Sequence, residues 1–176
     1  MYNNIIMKIS TNIGPISSFV GEEKAIELVA KAGFDYFDFS LFNMVSTDWK
    51  TMDIIYKGHP LEKEETAREL AIKVKEIGFK YGITCNQSHA PFPTNFPPIR
   101  EKINLALECS AMAGSKICVV HPDNNLSAEE NAKLYQMFLP TAKKLGIKIA
   151  TENMWNWPRC SDHATEAACS TSESFI

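Results

Sequence analysis

The chain has 176 residues, of which 45% are hydrophobic and 22% are charged, and this size predicts a single domain with a core of its own. Eighteen basic and 21 acidic residues give a net charge of −3, which argues against nucleic acid as a partner. No apolar run approaches the roughly 18 residues that cross a membrane, and the N-terminal segment is too polar for a signal peptide. We therefore expect no membrane association and a cytoplasmic location.

Strands and helices alternate along the chain. Strands are predicted over residues 6–11, 34–41, 83–89, 116–121 and 147–152, and helices over residues 21–33, 61–81, 98–114 and 127–146. The helical segments show apolar residues at spacings of three and four, and each ends at a glycine. Between them, a turn is predicted at Gly14-Pro15 and long irregular segments over residues 42–60 and 90–98.

Inward-facing residues follow from the helical spacing. Ser127 and Glu130 form a capping box at the start of the fourth helix, and Pro140 is expected to kink it. The predicted buried stripes are Ala25, Leu28, Val29 and Ala32; Leu70, Val74, Ile77 and Tyr81; Ile99, Ile103 and Ala106; and Ala132, Tyr135, Leu139 and Ala142.

Cysteine usage indicates a reducing environment. The five cysteines are an odd number without a C-x-x-C pair, so reduced thiols are predicted, several of them buried. Cys118 lies in the apolar run Ile117–Val120 and is expected in the core. The cysteines are Cys85, Cys109, Cys118, Cys160 and Cys169.

Two α/β architectures fit the alternation of strands and helices. A doubly wound five-stranded parallel sheet is complete at this length, whereas an eight-stranded barrel needs about 250 residues. Length favours the doubly wound sheet, but the residues at the strand ends favour the barrel.

Three strands end in side chains that bind divalent metals. His89, His121 and Glu152 are separated by 32 and then 31 residues, one β-α-β period each. Because parallel strands present their carboxyl ends at one edge of a sheet, the three side chains are predicted to face one space as metal ligands. Each alone is more simply a hydrogen-bonded residue or a helix cap. His59 and His163 are predicted to be solvated loop residues.

Aromatic residues follow the same strand ends. Phe92 and Phe96 come after His89, and Trp155 and Trp157 come after Glu152. Aromatic faces stack on sugar rings and exclude water. Trp155 is therefore a candidate substrate-binding residue, with loop packing an equal alternative, whereas packing is the better interpretation of Trp157.

The set of segments resembles the N-terminal portion of the xylose isomerase-like TIM-barrel superfamily, which includes sugar phosphate isomerases, epimerases and endonuclease IV-like enzymes. The segments that carry the resemblance are MKISTNIG, ELVAKAGFDYFDFS, NQSHAPFP, ICVVHPDNN and KIATENMWNW. The resemblance implies a partial (β/α)8 TIM barrel with about five parallel strands and four helices, truncated before strands six to eight. Residues 1–176 would then be one C-terminally incomplete domain.

The resemblance also implies a chemistry. Glu152 matches the family's metal-ligating, acid/base glutamate, and His89 and His121 match histidines that bind metal in endonuclease-type members or line the sugar pocket in epimerases. The expected function is isomerisation or epimerisation of a sugar or sugar phosphate with a divalent metal (Mn, Mg, Co or Zn). It is expected to be impaired because the family's later ligands lie on strands six to eight. The alternatives are an endonuclease IV-like zinc phosphodiesterase and a non-catalytic metal-binding fragment that self-associates through open barrel edges.

Overall fold

The computed structural model describes residues 7–48, 50–51, 53–156, 162–167 and 169–172. Within these ranges the strands are β1 (Ser10–Asn12), β2 (Tyr36–Ser40), β3 (Ser46–Thr47), β4 (Ile54–Ile55), β5 (Thr84–His89), β6 (Ile117–Val119), β7 (Lys148–Ala150), β8 (Trp155–Asn156) and β9 (Thr165–Glu166). The α-helices are α1 (Gly14–Val20), α2 (Glu22–Lys31), α3 (Glu64–Lys80), α4 (Pro97–Glu101), α5 (Ile103–Met112) and α6 (Ala128–Leu145).

Five strands form one parallel sheet in the order β1-β2-β5-β6-β7. The strands of this sheet therefore lie side by side in the order in which they occur along the chain. In a doubly wound sheet the order of strand addition reverses at a switch point, whereas in a barrel each new strand is added on the same side of the one before it. The strand order excludes the doubly wound alternative, and the prediction of an α/β fold with about five parallel barrel strands is confirmed.

Helices are more numerous than the four predicted. The expected turn at Gly14-Pro15 is the start of α1, because proline is well suited to a first helical turn. Asn12 Oδ1 accepts a hydrogen bond from the Gly14 amide at that start. The helix predicted over residues 98–114 is two helices, α4 and α5, which meet at Lys102.

The irregular segments contain short hairpins that the sequence pattern did not predict. Residues 42–60 hold the antiparallel pair β3–β4 between two 3-10 turns, Phe42–Met44 and Pro60–Glu62. After Glu152, β8 pairs with β9. Strands of two residues carry too little periodicity to be recognised in a sequence.

The core lies between the sheet and the helices. Phe37 and Phe39 of β2 are buried against the helical layer, and Cys118 and Val120 are fully buried, as expected of a strand covered on both faces. At Gly78 the helix α3 lies close to the sheet: a Cβ atom there would lie 2.8 Å from the Ile83 carbonyl oxygen and 2.9 Å from the Phe37 ring.

The predicted helical stripes are partly displaced. Ile99, Ile103 and Ala106 are buried as expected, but Leu28 and Leu139 are 40% and 50% exposed. Ile26, Leu134 and Phe138 occupy the core instead. Both helices carry apolar residues on adjoining rows, and the packing against the sheet selects one of them. Ser127 and Glu130 form the predicted capping box, and α6 continues through Pro140.

The described cysteines are free and buried. Burial raises the pKa of Cys85 and of Cys109 to about 12, so both are protonated at neutral pH. Trp157, Cys160 and residues 173–176 lie outside the described residues. None of the described helices is long and apolar enough to cross a membrane.

Candidate metal centre

The carboxyl edge of the sheet brings together the three residues predicted from the strand ends. β5 ends at His89, whereas His121 and Glu152 each follow the last residue of their strand, Val119 and Ala150, by two positions. Backbone hydrogen bonds continue beyond the strands and hold these ends in place: the Ala90 amide donates to Val119 and the Val120 amide donates to Ala150.

The distances within this group are short. His89 Nε2 lies 3.4 Å from Glu152 Oε1, and His121 Nδ1 lies 3.7 Å from Glu152 Oε2. One donor atom from each of the three residues lies within 4.8 Å of the others. The two histidine side chains are 13% and 12% exposed, whereas that of Glu152 is 45% exposed. The centre is therefore closed by imidazoles below and opened towards solvent at the carboxylate.

The donor set fits a divalent cation. Ligands held about 2.0–2.1 Å from one ion lie roughly 3–4 Å apart, which matches the separations of Glu152 from both rings. Two imidazole nitrogens and one carboxylate suit zinc, manganese, cobalt and related ions, while leaving coordination positions open. The buried Nε2 of His121 has no hydrogen-bond partner among the described residues, which marks the ring as incompletely satisfied.

A buried carboxylate stands behind His89. Asp38 is 4% exposed, and its Oδ2 lies 2.7 Å from His89 Nδ1 and accepts a 2.7 Å hydrogen bond from Gln87 Nε2. The contact with His89 is close but lacks the linear N–H···O geometry of a full hydrogen bond. Asp38 was not among the predicted site residues, because it meets His89 only through the β2–β5 pairing, which no local pattern in the sequence reports.

The loop after β5 is fastened to His121. Thr94 is fully buried, and its hydroxyl donates to the His121 carbonyl at 2.7 Å. The Phe92 ring packs on the His121 imidazole with a centroid separation of 4.8 Å. Arg100 then links the Thr94 carbonyl to the Asp123 carboxylate. These contacts hold the loop and the His121 strand end as one unit.

Two further side chains at the centre were not predicted. Phe42, which is 43% exposed, places its ring 6.2 Å from that of His89 and 6.4 Å from that of His121. The Met154 sulfur lies 3.1 Å from His121 Nδ1. Met154 follows Glu152 by two residues, and this short spacing was the signal in the sequence that could have placed it near the centre.

The two histidines differ in their protonation. Burial opposes the charged form of His89, but the close carboxylates of Asp38 and Glu152 outweigh it and raise its pKa above 6.5. For His121 burial dominates; Glu152 opposes it and His89 reinforces it, so the pKa is lowered. His121 is therefore the ring that more readily offers a neutral nitrogen to a metal.

The other predicted positions lie apart from these atoms. Trp155 is 61% exposed on β8, and its carbonyl accepts a hydrogen bond from Asn124 at 3.4 Å. Phe96 is half-buried at the start of α4. His163 is exposed beside Asp162, as expected.

His59 is not the solvated loop residue that was predicted. Its Nδ1 accepts from the Leu61 amide, and its Nε2 lies 3.3 Å from Glu22 Oε1, with the side chain 23% exposed. The reason is that the His59 ring lies against Glu22 at the start of α2.

Comparison of the sequence with protein-family models and with curated proteins finds no match. Solved structures do match. They include a D-tagatose 3-epimerase-like protein (21% identity, TM-score 0.54, 86% of this chain and 54% of that chain) and an IolI protein with a bound zinc atom (19%, 0.51, 82% and 51%). An AP endonuclease of family 2 from Brucella melitensis also matches (13%, 0.50, 83% and 55%).

At these identities the matches show the fold, which is the partial xylose isomerase-like TIM barrel that the sequence resemblance implied. The chain has the fold of the N-terminal portion of such a barrel, and the resemblance inferred from its sequence is confirmed at the level of the fold. It spans about half the length of each of the three structures.

Proposed function

We propose that this chain contributes the first half of a metal-dependent sugar or sugar-phosphate isomerase or epimerase site. The observation that carries the proposal is the convergence of His89, His121 and Glu152 within 4.8 Å at the carboxyl edge of the sheet, where barrel enzymes place their active sites. The structural similarity to a D-tagatose 3-epimerase-like protein supports the choice of a sugar as substrate.

His89, His121 and Glu152 would hold the divalent ion. When bound, such an ion polarises the oxygens of a hydroxy-carbonyl substrate and stabilises negative charge that develops on them. The zinc atom bound to the similar IolI structure supports a metal at this type of site. Manganese, magnesium, cobalt and zinc all accept these donors, so the choice between them is left to measurement.

Glu152 is proposed as the acid/base residue. It is the most exposed of the three side chains, so one carboxylate oxygen can face a substrate while the other faces the rings. A carboxylate in this position takes a proton from the carbon next to the ketose carbonyl. The other described carboxylate beside the rings, Asp38, is buried behind His89. Glu152 therefore exchanges a proton on one face of the sugar, and inversion of that carbon needs a further acid.

The aromatic residues around the centre are proposed to receive the sugar. Phe42 and Phe92 lie next to the imidazoles and form an apolar wall, and aromatic faces pack against the C–H face of a sugar ring. Trp155 is a proposed substrate-binding residue at the outer rim, where its large exposed fraction leaves the indole free to contact a ligand.

Metal binding is tested by calorimetry with Mn²⁺, Co²⁺ and Zn²⁺ on the 176-residue chain. We expect one site, with affinity lost in His89→Ala and strongly reduced in Glu152→Gln. His163→Ala removes an exposed histidine elsewhere and serves as the matched control, with unchanged affinity. If His89→Ala and Glu152→Ala both bind metal as the wild type does, the site is wrong.

The chemistry is tested by proton exchange. A ketose is incubated with the metal-loaded chain in D₂O, and deuterium at the carbon next to the carbonyl is followed by NMR. We expect slow exchange that Glu152→Gln abolishes, with little or no epimer formed. An exchange rate equal to that of metal alone contradicts the proposed role of Glu152, and rapid epimerisation contradicts the expectation that the site needs further ligands.

Phosphodiester hydrolysis is the second candidate because two of the three donors are histidines, the residues matched to metal ligands in endonuclease-type members of the superfamily. The net charge of −3 opposes binding of DNA. Cleavage of an oligonucleotide with one abasic site separates the two functions: zinc-dependent cleavage by the wild type, lost in His121→Ala, would favour the phosphodiesterase.

A further inference from the structure

We propose that Asp38 is a positioning residue that fixes the ring tautomer and orientation of His89 for metal binding. The role in metal binding rests on the proposed function, whereas the effect of Asp38 on the His89 ring can be measured in the metal-free protein. A histidine that binds a metal through one nitrogen commonly donates its other N–H to a carboxylate, which orients the ring and raises its basicity as a ligand.

The geometry supplies each part of this arrangement. His89 Nε2 faces Glu152 at 3.4 Å, and the opposite nitrogen, Nδ1, faces Asp38 Oδ2 at 2.7 Å. A carboxylate accepts and does not donate, so the contact with Asp38 favours the His89 tautomer with its proton on Nδ1. This leaves the lone pair of Nε2 directed towards the centre.

Asp38 is itself held in place. It is 4% exposed, and Gln87 Nε2 donates to the same Oδ2 that faces His89. A buried carboxylate costs free energy unless it is paired, and its second oxygen, Oδ1, is buried without a hydrogen-bond partner among the described residues. A purely structural role gives little reason to keep such a group in the interior.

The strand register explains why these side chains share a face. The β2–β5 pairing contains a bulge: Phe37 lies opposite Cys85, but Asp38 lies opposite Gln87. Side chains alternate between faces along a strand, so Asp38, Gln87 and His89 point to the interior while Phe39 and Ser88 point to the helices. If the register continued unbroken, Asp38 would pair with Asn86, and His89, three residues further along β5, would lie on the opposite face.

The test is the tautomer of His89 in the metal-free protein. At a pH where the ring is neutral, the ¹⁵N shifts of the imidazole report which nitrogen carries the proton. We expect the proton on Nδ1 in the wild type, a mixture in Asp38→Ala, and restoration of the wild-type tautomer in Asp38→Asn, whose amide oxygen still accepts. Asp35→Asn removes a carboxylate just before β2, where it pairs with Lys8, and is expected to leave His89 unchanged.

Metal affinity is the second readout. Loss of the partner of a metal-binding histidine typically weakens binding about 10–100-fold, and we expect this for Asp38→Ala with an intermediate loss for Asp38→Asn. Gln87→Met, which keeps the carboxylate but removes its donor, is the milder variant if Asp38→Ala does not fold, and it is expected to shift the tautomer partly.

A wild-type His89 protonated on Nε2, or a tautomer that neither Asp38→Ala nor Gln87→Met alters, overturns the inference. Absence of metal binding in the wild type would instead overturn the proposed function. In that case the tautomer measurement still decides whether Asp38 positions the ring.

Discussion

At the scale of single residues, the candidate centre depends on side chains that contact the candidate ligands from behind. His121 is supported by Phe92 and Thr94, and His89 by Asp38. The candidate ligands at the strand ends were recognisable because histidine and glutamate stand out at equivalent positions. Their supports are ordinary residues whose role depends on contacts between distant parts of the chain.

Thr94 provides one prediction at this scale. Thr94→Val removes the hydroxyl that donates to the His121 carbonyl while keeping the shape of the side chain. Because this leaves a buried acceptor unsatisfied, we expect a loss of about 1–3 kcal/mol in the free energy of unfolding. Urea denaturation measures the change. Thr84→Val at the exposed start of β5 is the control, with an expected change within about 0.5 kcal/mol; equal losses in both variants would contradict the role of the hydroxyl.

Glu22 and His59 provide a pH-dependent prediction. A hydrogen bond from His59 lowers the pKa of Glu22 in spite of burial. A carboxyl group with a lowered folded-state pKa stabilises the protein above its ordinary pKa of 4.5, and this contribution is lost as the pH falls through the folded-state pKa.

Glu22→Gln should therefore be less stable than the wild type at neutral pH, by up to about 1 kcal/mol, with the difference vanishing in acid. Unfolding by urea at a series of pH values measures it. Glu23→Gln removes a charge from the same helix turn. In the wild type Glu23 pairs with Lys80 at the surface, so a smaller loss of stability is expected for this variant. A Glu22→Gln deficit that persists undiminished in acid would show that ionisation of Glu22 is not its source.

At the scale of elements, close packing overrides helix propensity at Gly78. Alanine is favoured over glycine within a helix by about 1 kcal/mol, yet a Cβ atom at Gly78 would meet the Ile83 carbonyl and the Phe37 ring at under 3 Å.

We expect Gly78→Ala to destabilise the protein, because α3 must move away from β2 and the fully buried Phe37. Thermal denaturation gives the sign. Glu69→Ala, on the exposed side of the same helix, is the control and should change the melting temperature little. A stabilised Gly78→Ala variant would show that α3 can shift without cost.

The helices and strands themselves were largely predictable. The capping box at Ser127 and the glycine ends depend on hydrogen bonds and dihedral angles within a few residues. The buried face of α6 was harder to predict. Leu139 and Phe138 are equally apolar neighbours, and packing of the helix in the core buries Phe138 and leaves Leu139 exposed.

At the scale of the whole molecule, the described sheet has two outer strands, β1 and β7, each with one neighbour. The Lys148 amide and the Ala150 carbonyl bond to the β6 side, so the Ile149 amide between them faces outward. An unpaired edge of this kind is a template for another strand.

We therefore predict that the 176-residue chain self-associates, with an apparent mass that rises above 19.8 kDa as the concentration increases in light scattering. Ile149→Pro removes the outward amide and should reduce association. Ile149→Val keeps that amide and is the control. A constant monomer mass across concentrations would contradict the prediction. That residues 1–176 act as one domain, and that the protein is cytoplasmic, also stay predictions.

The sequence by itself determined the alternation of strands and helices, the parallel character of the sheet and the identity of the three strand-end donors, because these depend on local periodicity, capping and residue chemistry. Tertiary structure decided the strand order that distinguishes a barrel from a doubly wound sheet. It also decided that Asp38 faces His89, since one bulge opposite Phe37 and Asp38 sets which face of the sheet each side chain occupies. The register is set by contacts between segments about 50 residues apart, and no local pattern within either segment specifies it.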